Sequence, residues 1–308
     1  MRRGVVFGVV AYLIWGLFPL YWPLLEPADA GEILAHRMVW SLIVMSVVVT
    51  TARQWADIRL MAGRTWLLVV AASILISINW GVYIYAVNSG HVIEAALGYF
   101  INPLVSVLLG VVIFSERLRP LQWSAVGLGG AAVLVIAIAG GRFPWIAVVL
   151  AGSFGLYGLV KKVIPLPPAA SLTAEATVLL VPALIFLTFR QLNGTATLTG
   201  HGAGHVLLLA LSGLITVIPL LAFGASARAL PLSVLGLLQY LTPVVQFVLG
   251  VTWLHEHMAP ARWMGFILVW IALVLLSVEG LRQTRRSVVQ DRDGQTTAAR
   301  AQGNAQAP

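Results

Sequence analysis

The 308-residue chain contains no cysteine and few charges, with Asp, Glu, Lys and Arg together making only 10% of it. Without thiols it forms no disulfide, no Cys-ligated metal site and no thiol nucleophile. With so little charge it cannot coat a soluble domain, for which about 25% is usual. Hydrophobic residues supply 59% of the chain, more apolar surface than a water-soluble fold of this size can hide. The composition is that of an integral membrane protein. Also missing are a Walker loop, a His-Glu-x-x-His helix and a Gly-x-Ser-x-Gly elbow. These absences argue against an ATP engine or a hydrolase, and no cofactor or metal is expected.

What is present is a series of apolar runs. Crossing about 30 Å of hydrocarbon takes about 20 apolar residues. Windows of that length place ten helical spans, over 4–25, 33–52, 66–87, 92–114, 122–140, 143–160, 172–189, 205–224, 231–254 and 260–281. The polar segment that starts "LRQTRRSVVQDRDGQTT" after Gly280 predicts a disordered tail over 282–308. Arg2-Arg3 before the first run and Ala28-Asp29-Ala30 after it imitate a cleavable signal. The run is longer than a usual signal core, so a retained first span is expected. Of the 19 Lys and Arg residues, 15 fall on one side of the spans and only Arg37, Arg142, Arg190 and Arg262 on the other. The positive-inside rule then makes both termini cytoplasmic. The same placement accounts for the net charge of +8. No basic face interleaves with aromatics, so a nucleic-acid partner is not expected.

The segment "GYFINPLVSVLLG" (98–110) puts Asn102-Pro103 in the middle of an apolar run. Proline removes a backbone donor, and asparagine brings an amide that needs partners. Shifted by 140 residues, "YFINPLVSVLLGVVIFSERLRPLQW" (99–123) lies over "QYLTPVVQFVLGVTWLHEHMAPARW" (239–263) without a gap. Pro103 meets Pro243, Glu116 meets Glu256, Pro120 meets Pro260 and Trp123 meets Trp263. Five spans separate the matched helices, an odd number, so the halves are expected to be inverted relative to each other. The expected units are residues 1–141, residues 142–281 and the tail 282–308. Pro103 and Pro243 are expected as midplane helix kinks beside a polar cavity, because a freed carbonyl cannot face lipid. A plain packing kink, with Asn102 bonded to a neighbouring helix, is the alternative.

Ionisable and polar residues inside spans are functional candidates by cost alone. Glu94, Gly98 and Asn102 share one helical face and could lead a proton or cation inward; a carboxylate favoured by its own helix N-terminus is the bland reading. The same two readings apply to Glu175, with pairing to Lys161 or Lys162 as a third. Asn79, Trp80, Tyr83 and Asn88 in the third span, and Gln239 and Tyr240 in the ninth, are further candidates, although aromatic belts and core packing explain such rings equally. His36-Arg37 opens the second span, where snorkelling to headgroups is the alternative. Gly152-x-x-Gly155-x-x-Gly158 reads as close helix packing. Glu116 and Glu256 read as structural, each accepting from the N-terminus of the next helix at Pro120 or Pro260.

The runs "AYLIWGLFPLYW" (11–22), "EILAHRMVWS" (32–41), "NWGVYIYAVNSGHVIEAALGYFINPL" (79–104), "YGLVKK" (157–162) and "PLSVLGLLQYLTP" (231–243) resemble the RarD subfamily of EamA-type permeases in the drug/metabolite transporter superfamily. The resemblance covers about residues 4–280. It implies a bacterial inner-membrane permease of two five-helix halves that works by alternating access. Members are commonly labelled chloramphenicol-sensitive or chloramphenicol-resistance permeases. The positions that match and carry over as candidate pathway residues are His36, Arg37, Trp40, Asn79, Trp80, Asn88, Glu94, Tyr99, Asn102, Tyr157, Lys162, Glu175, Gln239 and Tyr240. "HEHMAP" (255–260) departs from the usual form of that loop. The expected function is secondary transport of a small metabolite or drug, with protons as the candidate coupling ion. A membrane enzyme acting on a lipid-linked substrate is the alternative. Substrate, direction and oligomeric state are not legible.

Overall fold

A computed structural model describes residues 2–114, 118–139, 141–230 and 238–279. The expected tail 282–308, Glu116 and the first part of the ninth expected span (231–237) lie outside the described residues. Helices account for nearly all of the described chain. They are α1 (Arg2–Tyr21), α2 (Ala30–Thr51), the short α3 (Trp55–Arg59), α4 (Gly63–Asn88), α5 (Val92–Phe114), α6 (Pro120–Ala139), α7 (Trp145–Val163), α8 (Pro168–Leu192), α9 (Gly202–Ala229), α10 (Leu241–Thr252) and α11 (Pro260–Glu279). The chain is an all-α membrane protein: among the described residues eight helices are long and apolar enough to cross a bilayer. Two further helices, Trp145–Lys161 and Leu241–Thr252, are apolar but shorter.

Local chemistry sets where these helices begin. Pro120, Pro168 and Pro260 stand at first helical positions, where the missing N–H is no loss. Asp29 caps α2, its carboxylate accepting from Glu32 N–H at 2.9 Å. In lipid every backbone group must be satisfied internally, which long helices achieve. Their outward faces carry Phe7, Val47, Leu67, Val112, Ile138, Val181 and Ile185, all exposed and apolar.

The centre is built from α1, α2, α4, α5, α7, α8, α9 and α10. Helix α1 packs on α9 and α10, α2 on α8 and α9, α4 on α7 and α8, and α5 on α7 and α10. Helices α6 and α11 pack together outside α5, through Ala132, Ile136, Phe266 and Val269. Two contacts are close enough to require glycine. A Cβ on Gly98 would lie 2.8 Å from the Ala147 carbonyl oxygen of α7, and one on Gly213 would lie 2.4 Å from the Trp40 carbonyl carbon of α2.

The two expected kinks differ from each other. Helix α5 runs through Pro103 without a break. Pro243 is instead the third residue of α10, after a turn at Tyr240. There it costs no hydrogen bond, because the first-turn N–H groups of a helix are unpaired anyway. The chain is helical at 238–239, turns at Tyr240 and is helical again from Leu241, so an interruption lies three residues before Pro243. We call the end of the bundle where α1 starts the near end and the opposite one the far end.

Candidate functional site

Arg37 is an ionic side chain buried to 2% exposure. It stands seven residues into α2, about 10 Å below the far end at 1.5 Å per residue. It points into the bundle, so the snorkelling alternative does not describe it. Its Nε donates to Thr216 Oγ1 of α9 at 2.7 Å, and its guanidinium lies 3.8 Å from the Trp80 ring centre. Trp22 and Phe18 stand at 5.1 and 5.6 Å. Thr216 spends its own proton on the Ser212 carbonyl, which leaves its lone pairs to arginine. Nη1 is buried and has no partner among the described residues. Stacking on Trp80 is worth about 2 kcal/mol, against several kcal/mol for desolvating the ion. Desolvation wins, so the arginine is held but not fully compensated.

Beside it, Asn79 of α4 ties three helices together. Its Nδ2 donates to the Leu150 carbonyl at 3.0 Å and to Ser153 Oγ at 3.1 Å, and its Oδ1 accepts from Tyr99 at 3.2 Å. Tyr99 meets Tyr83 edge-on at 5.7 Å between ring centres. Gln246 of α10 donates to Tyr83 Oη at 2.9 Å and to the Trp15 carbonyl at 3.3 Å. That carbonyl is free because Pro19, four residues on in α1, has no N–H. Thr242 donates to the Tyr12 carbonyl at 2.8 Å.

Toward the near end, buried Glu175 of α8 is fully occupied. It accepts from Lys161 at 2.6 Å, Ser171 at 2.9 Å and Tyr157 at 3.0 Å. A cavity of about 30 Å³ runs from Trp80 and Thr216 to Glu175.

Glu94 does not join this centre. Its carboxylate accepts from the Ile146 N–H at 3.0 Å and so caps α7. Gly98 and Asn102 below it press against Ala147 and Gly155 of α7. The stripe expected to lead inward is a packing seam; Asn102 is buried and its Oδ1 has no partner among the described residues. Glu94 instead borders a far-end recess of about 400 Å³ with His91, Arg142, Glu256, His257 and Arg262. Glu256 caps α5, accepting from Val92 at 2.5 Å and Ile93 at 3.0 Å. The expectation that it serves the helix at Pro260 is corrected. Burial holds its carboxyl above the usual range, against the pull of those two N–H groups.

His36 is buried beside Glu32, which is held by Arg190 and the Thr197 N–H. Asn88 is the last residue of α4, and Trp40 lies against Gly213. Gln239 and Tyr240 are half-buried, with Tyr240 packed against the α5–α11 cluster rather than Arg37. The Lys162 side chain lies outside the described residues. Sequence reasoning missed Thr216, Ser153 and Gln246. Only Gln246 had a signal, as a polar residue four positions from Thr242 on an apolar helix.

Two comparisons bear on identity. A profile of the EamA-like transporter family matches residues 2–138. "Protein RarD" of Streptomyces exfoliatus is 54% identical over 288 residues, covering 93% of this chain and 91% of that protein. The chain belongs to the RarD subfamily of the EamA-like transporters. The "Uncharacterized transporter YojE" of Bacillus subtilis (strain 168) is 43% identical over 93% of this chain and 97% of that protein. A solved crystal structure, 18% identical, matches with a TM-score of 0.59 over 92% of this chain and 99% of that one, which speaks for the fold alone. This RarD-type chain is a multi-pass bacterial membrane protein of a transporter family.

Proposed function

We propose that the protein is a secondary transporter that carries a small metabolite or drug across the bacterial inner membrane by alternating access. The observation that carries this is where the buried polar bonds lie. Arg37–Thr216, Asn79–Ser153, Tyr83–Gln246 and Tyr12–Thr242 each join residues 1–141 to residues 142–281. A polar seam between two halves is where a rocking-bundle transporter keeps its substrate. An inverted repeat of ten spans is supported by the pairing of contacts. Exchanging α1 with α7, α2 with α8, α4 with α9 and α5 with α10 turns α5–α7 into α10–α1, α4–α7 into α9–α1, and α2–α9 into α8–α4, all of which pack. The near end, with most of the Lys and Arg, is assigned to the cytoplasm. Glu175, bound to Lys161, and Glu94, in the recess at the far end, are the proton-coupling candidates.

Flux of a metabolite and drug panel into proteoliposomes, with and without an imposed proton gradient, tests this reading. Gradient-driven flux that Glu175→Gln uncouples is expected; no movement of any solute overturns it. The absence of native cysteine lets Arg59→Cys be labelled alone. Labelling from outside intact cells would reverse the orientation.

A further inference from the structure

Every buried or half-buried carboxylate named above has a partner. Glu32 is held by Arg190, Glu175 by Lys161, Glu94 by the Ile146 N–H and Glu256 by two N–H groups. Arg37 has no carboxylate within ion-pair distance among the described residues. Thr216 fixes its Nε and Trp80 its plane, while buried Nη1 donates to nothing among those residues. The side chain is oriented by the fold and still keeps a charge and a donor unspent. A planar guanidinium fixed in this way matches the two oxygens of a carboxylate.

The surroundings narrow the ligand further. Phe18, Trp22 and Trp80 ring the guanidinium, and Tyr83 and Tyr99 pack in one cluster with Phe18 and Trp22. These walls suit an apolar or aromatic body. Among the described residues one uncommitted cation stands here, since Lys161 is committed to Glu175, so a single negative charge is matched and a multiply charged anion is not. We propose that Arg37 binds the carboxylate of a monoanionic organic acid with an apolar or aromatic body, and that this acid is the transported substrate. The second clause rests on the transport reading; the first does not. The cavity of about 30 Å³ behind Trp80 and Thr216 holds about one water. The acid therefore reaches Arg37 when the seam between α2 and α9 opens.

Thermal unfolding of the purified full-length protein in detergent tests the binding step, with benzoate and hexanoate as probes against benzamide and hexanamide. The acids are expected to raise Tm at concentrations about tenfold or more below those at which the amides act. Arg37→Gln abolishes the acid response, and Arg37→Lys keeps part of it. Equal responses to acid and amide, a response to inorganic phosphate alone, or an Arg37→Gln protein that still prefers the acids overturns the proposal. If Arg37→Gln does not fold, the acid–amide comparison on the unaltered protein decides alone. Proteoliposome flux separates the two readings. Acid binding without flux of any solute removes transport and keeps the site; flux without a carboxylate preference does the reverse.

Discussion

Arg37 and Glu175 are both almost inaccessible, at 2% and 3% exposure, and a small cavity reaches from Trp80 and Thr216, the partners of Arg37, to Glu175. Glu175 has a lysine, a serine hydroxyl and a tyrosine hydroxyl around it, whereas Arg37 has one threonine and aromatic faces. The carboxylate is a charge on which the fold depends, because its partners would be stranded without it. The arginine is a charge the fold tolerates. Lys161→Met is the sharpest way to break this contrast, since it leaves a buried carboxylate without its cation. A loss of about 3 kcal/mol is expected, at the low end for a buried pair because the lysine side chain is 24% exposed. Arg37→Met removes an ion that no protein carboxylate compensates, and its cost is expected below about 1 kcal/mol. Denaturation in detergent compares the two directly. Equal losses would erase the distinction, and Lys161→Met combined with Glu175→Leu should recover most of the first loss.

A smaller effect sharpens the Arg37 side. The Gly213 position admits no side chain, because Trp40 of α2 lies against it. Gly213→Ala forces α9 away from α2 at a cost of about 2 kcal/mol. Thr216 lies three residues further along α9, so the Arg37 Nε bond goes with it, and a weakened carboxylate response should accompany the lower Tm. Tyr99→Phe is milder still. It removes one bond to Asn79, which retains its bonds to Leu150 and Ser153, and about 1 kcal/mol is expected in the same denaturation assay.

How far this was legible follows from what each residue's chemistry reveals without its neighbours. Helix positions were plain, because lipid demands long, self-bonded apolar segments and the chain supplies them. Arg37 was legible only as a residue at the opening of the second span, where snorkelling was an equal reading, because the sequence does not show which way a side chain one turn into the expected span points. Its anchor was not legible. A threonine in a helix normally bonds its own preceding turn, as Thr216 does, and nothing in the sequence shows that its lone pairs face an arginine 179 residues away. Glu94 and Glu256 were recognised as residues of helix ends, but the helices they cap belong to other parts of the chain. Spacing tells which residues share a face; it does not tell which helix meets that face. Pro103 and Pro243 have equally apolar neighbours, and nothing in the sequence shows that the helix continues through the first and is interrupted just before the second.

Glu256 offers the smallest and most specific test, on a carboxylate that differs from both central charges. It is half-desolvated and hydrogen-bonded by two neutral N–H groups, and burial holds its carboxyl above the usual range against those bonds and the nearby Arg262 and His91. In the unfolded chain it ionises more readily than in the fold, so between its ordinary value and the raised one the folded state holds more protons. Its contribution to stability is therefore fully present below the ordinary carboxylate range and is lost as pH rises through the folded value. Glu256→Gln cannot titrate there. On acidification from neutral pH toward the ordinary carboxylate range, the unaltered protein should gain Tm relative to Glu256→Gln. The reverse trend would mean that the two N–H groups, with Arg262 and His91, outweigh burial.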